Sequence, residues 1–143
     1  WIDEEGNLVY FNEILVKKTG YSKEELKRMK AWDFSPSVKN KSEWAAFITT
    51  VKEAGEFVLE TEQIRKDGTI NIIETINNYV EFEGKAYIFS IVLDITQQKK
   101  RDELLYKMKY SFDFANEMIA WYNPEGSILY ANSSLAEACG YEL

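Results

Sequence analysis

Apolar and polar positions follow two different rhythms along this chain. Trp44, Phe47, Ile48 and Val51 fall at i, i+3, i+4 and i+7, a single stripe that predicts a helix over residues 42–54, closed by Gly55. Beyond it the pattern predicts three strands, over residues 56–65, 69–82 and 85–95. They are separated by Lys66-Asp67-Gly68 and Glu83-Gly84, and the Asp-Gly pair is a hairpin signal. Residues 1–2 read as the end of a strand. Residues 3–7 read as a turn in which Gly6 supplies a positive φ, and residues 8–11 as another strand. Asn12 caps a short helix over 13–19 that Gly20 ends. Ser22 and Glu25 have capping-box spacing and open a further helix through Met29. Residues 31–40 are irregular and carry Trp32, Phe34 and Pro36. This order predicts an α+β domain, a five-stranded antiparallel sheet with short helices on one face. A polar, basic helix follows, with Leu105, Met108, Phe112 and Ala115 along a narrow seam of the coiled-coil kind. At about two heptads it is marginal as a dimer by itself.

The opening of the chain recurs 120 residues later. WIDEEGNLVYFNEILVKKTGY aligns with WYNPEGSILYANSSLAEACGY, with eight identities in 21 positions. Trp1, Gly6, Tyr10, Asn12, Leu15 and Gly20 reappear as Trp121, Gly126, Tyr130, Asn132, Leu135 and Gly140. This period is too long for a solenoid unit and suits tandem whole domains. The expected organisation is a domain over 1–96, a linker helix over 97–111, and the start of a second domain over 112–143. The bare apolar faces of that second portion are expected to pack on another chain, in a homodimer or a swapped assembly.

Composition narrows the function. The net charge of −7 argues against nucleic acid as a partner and against anionic membrane surfaces. No apolar run approaches the roughly 18 residues of a membrane span. No signal peptide is visible at Trp1, and the parent protein is expected to extend in both directions. Cys139 is the only cysteine, so an internal disulfide is impossible and a cytoplasmic location is expected. The chain has no histidine, which removes His-ligated haem, most zinc sites, His-dependent nucleophilic catalysis and a phosphoacceptor histidine. No paired carboxylates and no phosphate-cradling loop stand out, and an enzyme is not expected.

Four features in order resemble the PAS family. They are the Asp3…Gly6…Tyr10…Asn12 opening, the Gly20-Tyr21-Ser22…Glu25-Leu26 segment, the Lys66-Asp67-Gly68-Thr69 hairpin and the closing Asp94-Ile95-Thr96. The resemblance covers residues 1–96, and the repeat matches it again from about 112. It implies a sheet wrapped by helices around a small cavity, in a sensory domain of a prokaryotic signalling protein. Such a domain binds a small ligand, or pairs with another copy, and passes a conformational change down its last helix. The output, a histidine kinase or cyclic-dinucleotide domain, would lie outside this chain. Haem members of the family use a histidine on the long helix, and photoreceptor members a cysteine in the helical region. Residues 1–96 contain neither, which disfavours haem and cysteinyl-flavin and leaves the cofactor unknown.

Candidate ligand contacts are Phe34, Trp44 and Ile48 from the helical side, and Ile73, Thr75, Asn77, Ile88, Ser90 and Val92 from the strands. The competing reading is plain core for the apolar residues and satisfied polar groups for the rest. The opposite strand face, with Glu74 and Asn78, is the alternative lining, because alternation alone does not say which face is inner. Asp94 and Thr96 are expected to cap the strand-to-helix junction and couple sheet to helix.

Overall fold

A computed structural model describes residues 1–141. The chain forms two compact units, Trp1–Gln97 and Gln98–Leu143. In the first, β1 (Ile2–Asp3) leads to α1 (Glu13–Thr19), α2 (Lys23–Leu26), a 3-10 turn (Ala31–Asp33) and α3 (Lys41–Ala54). Three long strands complete it: β2 (Glu56–Ile64), β3 (Ile70–Phe82) and β4 (Lys85–Asp94). The sheet is antiparallel with order β1-β4-β3-β2.

Local chemistry sets the boundaries. Asn12 Oδ1 accepts from the Leu15 amide at 3.1 Å, and the Gly20 amide bonds back to Val16. Ser22 and Glu25 form a complete capping box. At the β2–β3 hairpin, Asp67 Oδ1 accepts from both the amide and the hydroxyl of Thr69, at 2.9 and 2.6 Å. Two departures from the pattern are minor. The helix from Lys23 ends at Leu26 instead of Met29. Residues 8–11 form no regular strand: Leu8 bridges Ile2, and the Val9 and Tyr10 amides bond the Trp1 carbonyl at 2.8 and 3.3 Å, so the sheet has four regular strands instead of five. The α+β class stands.

One core cluster joins Trp44 and Val51 of α3 to Ile88 of β4, with Ala31 and Val38. The other joins Leu8, Leu26 and Phe34. Trp44 is also fixed by a bond from Nε1 to the Asp3 carbonyl at 3.0 Å. Gly6 has a φ of 77° and lies under the Trp32 ring, where an added Cβ would come within 2.4 Å of a ring carbon. The turn therefore needs glycine both for its backbone and for the ring above it.

α4 (Thr96–Asp113) starts where β4 ends. No residue of it is buried; Leu105 and Met108 of its apolar seam are exposed, as is the neighbouring Leu104. The second unit continues with β5 (Ala120–Tyr122), β6 (Ile128–Ala131) and α5 (Ser133–Cys139). Its turn repeats the first unit's bonding. Asn123 Oδ1 accepts from the Ser127 amide at 2.7 Å, as Asp3 Oδ1 does from the Asn7 amide at 2.7 Å. Asn132 caps α5 through the Leu135 amide as Asn12 caps α1, and Gly140 ends it in the left-handed conformation like Gly20. Among the described residues, no helix is long and apolar enough to cross a membrane.

Candidate functional site

The concave face of the sheet bounds a cavity of about 400 Å³ in the first unit, within the size range of small-molecule sites. β3 settles which face looks inward. Asn71, Ile73, Thr75 and Asn77 line the cavity, while Glu74 and Asn78 lie on the alternate face. Pairing aligns inward residues across the strands: Leu59 with Thr75, Thr61 with Ile73, Gln63 with Asn71, Thr75 with Val92, and Asn77 with Ser90. Phe34 and Trp44 close the cavity from the helical side.

Of the candidate contacts, Phe34, Trp44, Ile73, Thr75, Asn77, Ser90 and Val92 line this cavity. Ile48 and Ile88 do not. Ile88 is fully buried in the Trp44–Val51 cluster, and Ile48 packs against that cluster from the edge. The i+4 spacing that placed Ile48 beside Trp44 turns it one step around the helix, toward packing and away from the opening.

The polar groups on the wall divide into two kinds. Asn77 is 2% exposed and knitted into the sheet. Its Nδ2 donates to the Phe57 carbonyl at 3.0 Å and to Thr75 Oγ1 at 2.9 Å, and its Oδ1 accepts from Ser90 Oγ at 2.6 Å. Thr75, Asn77 and Ser90 thus satisfy one another. Thr61 is paired with the hydroxyl of Ser37. Gln63 and Asn71 are different. They are 3% and 8% exposed, line the cavity, and make no side-chain hydrogen bond to any described residue. Their polar atoms are not sealed away from the cavity, so both carboxamides can bond a molecule that occupies it. Neither stood out in the sequence. Extending the inward alternation of β3 back from Ile73 reaches Asn71, and the hairpin register then pairs it with Gln63.

The charged side chains on the described wall are Lys18 and Asp94, bonded to each other at 3.0 Å. Burial raises the Asp94 pKa, but the bonds from Lys18 and from Thr96 outweigh it and hold the carboxyl below its usual value. Asp94 Oδ1 accepts from the Thr96 amide at 3.1 Å. Thr96 Oγ1 accepts from the Ile72 amide at 2.9 Å and donates to the Ile72 carbonyl at 3.3 Å. The Ile95 amide donates to that same carbonyl at 2.9 Å. The first residue of α4 is thereby bonded to the β3 residue next to both Asn71 and Ile73 in sequence. Among the described residues no three His, Cys, Asp or Glu side chains gather as metal ligands would.

A sheet, short helices and cavity of this kind define a sensory-domain fold, and comparison with known proteins gives the family. The family model described as "PAS domain" matches residues 1–97. The chain belongs to the PAS domain family. A sensor from Methanosarcina acetivorans described as methyl sulfide methyltransferase-associated is 34% identical over 94 residues. That match covers 64% of this chain and 9% of the length of that relative. The PAS domain of an HTR-like protein from Haloarcula marismortui superposes with a TM-score of 0.60 at 19% identity, covering 66% of this chain and 77% of that one. A PAS domain from Desulfitobacterium hafniense gives 0.57 at 25% identity, over 65% and 87%. One from a two-component sensor histidine kinase gives 0.56 at 17%, over 65% and 79%.

Proposed function

We propose that the first unit senses a small molecule in its cavity and relays occupancy through Asp94 and Thr96 into α4, toward an output domain outside this chain. The observation that carries this reading is the cavity of about 400 Å³ with sparse polar groups in a mostly apolar wall, the usual make-up of a ligand site. The relation to a sensor and to the PAS domain of a two-component histidine kinase supports a signalling role. The domain is itself no enzyme in this reading, acts in the cytoplasm, and works as a homodimer or swapped assembly through the exposed apolar residues that follow α4, among them Trp121, Ile128 and Leu129. The repeated turn and helix caps support reading residues from about 112 as the start of a second domain of the same kind.

A second reading, a ligand-free pairing and relay module, is favoured by the mutual satisfaction of Thr75, Asn77 and Ser90. Native mass spectrometry of the purified chain separates the two. A retained small molecule supports sensing, and a ligand-free dimer supports relay. In the parent protein, signalling unchanged by Asp94→Ala would contradict the relay step in either case.

A further inference from the structure

The described residues include five buried polar side chains: Thr19, Gln63, Asn71, Asn77 and Asn132. Thr19 bonds the Leu15 carbonyl, and Asn77 and Asn132 each make several bonds. The two without partners, Gln63 and Asn71, are directly paired across the β2–β3 ladder and share the cavity wall. Direct cross-strand partners have Cβ atoms about 5 Å apart, so two carboxamides stand side by side on one patch. Their polar atoms do not appear among the sealed, unsatisfied ones, as expected for groups that open onto the cavity.

We infer that this pair selects a neutral ligand bearing an adjacent donor and acceptor, such as an amide, lactam or urea group on an apolar body. This rests on the sensing function proposed above and names the ligand class. Each carboxamide offers an acceptor oxygen and two N–H donors. A carboxylate supplies acceptors alone and an ammonium donors alone, so either leaves half of the patch unmet. A charged ligand also needs a counter-charge in a desolvated site. The charged side chains on the wall, Lys18 and Asp94, already neutralise each other. An amide-type group satisfies both carboxamides while its apolar portion lies against Ile73, Leu59 and Phe34.

The test uses the 143-residue chain, ¹⁵N-labelled, titrated with benzamide, benzoate, benzylamine and toluene. Benzamide is expected to shift the side-chain NH₂ signals of Gln63 and Asn71 and to bind at least tenfold more tightly than the other three. The double variant Gln63→Leu/Asn71→Leu is expected to lose at least tenfold in benzamide affinity, to keep toluene binding, and to melt no lower than the parent. Benzoate or benzylamine binding as tightly as benzamide overturns the ligand class while leaving a ligand site in place. Toluene matching benzamide shows that the carboxamides do not select, with the same consequence. No response at cavity residues to any probe overturns both the class and the sensing function. A double variant that melts several degrees lower makes the pair a structural element and overturns the inference.

Discussion

Replacing Thr96 by valine removes the hydroxyl that ties the start of α4 to the sheet and leaves the shape of the side chain nearly intact. Two hydrogen bonds disappear, from the Ile72 amide at 2.9 Å and to the Ile72 carbonyl at 3.3 Å. The losses are unequal. The Ile72 carbonyl keeps the Ile95 amide as a donor, so its cost is small. The half-buried Ile72 amide loses the threonine oxygen, and a lost bond plus an orphaned donor costs about 1–3 kcal/mol. We expect Thr96→Val to destabilise the first unit by about 2 kcal/mol, and Thr96→Ser, which keeps the oxygen, by less than about 0.5 kcal/mol. For a domain of this size about 2 kcal/mol lowers the melting temperature by roughly 8–16 °C. Urea unfolding gives the energies, and amide exchange at Ile72 shows whether the loss is local. Valine and wild type unfolding at the same urea concentration, or serine as damaging as valine, would show that the Thr96 hydroxyl does not hold the junction.

Gly6→Ala adds a methyl under Trp32 to a left-handed residue and should cost about 2–4 kcal/mol in urea unfolding; Gly126→Ala has the same backbone strain with open space around it and should cost about 1–2 kcal/mol. Asn77→Ala leaves the Ser90 hydroxyl without its acceptor and the Thr75 hydroxyl without its Nδ2 donor and should lower stability by about 1–3 kcal/mol, the opposite of the behaviour expected for Gln63 and Asn71. The Asp94 carboxyl titrates below its usual value of 3.8 in the folded chain, so its contribution is present above that pH and is lost as pH falls through the folded pKa. Asp94→Asn should flatten the stability–pH curve there while leaving its slope near pH 7 unchanged, as read by urea midpoints across pH 2–7.

Much of the fold was legible because caps and turns are local. Asn12 and Gly20 fixed the limits of α1 through their own side chain and backbone, and Asp67-Gly68 fixed the hairpin. What was hidden depended on pairing at a distance. Which face of β3 looks inward follows from where α3 packs, and α3 packs on β2 and β3. Thr75, Asn77 and Ser90 could be seen as a polar group on the right strands, but their bonding to one another needed the Asn77–Ser90 register. Gln63 and Asn71 lie near a hairpin end, where polar residues are usually solvated, and only the register reveals them as neighbours on an inner wall.

If cavity and helix communicate through the bond between Ile72 and Thr96, amide hydrogen exchange of the chain with and without saturating benzamide detects it at those residues. Slower exchange is expected at Ile72, Ile95 and Thr96 together with the cavity strands. Slower exchange confined to cavity residues, with those three amides unchanged, would contradict it.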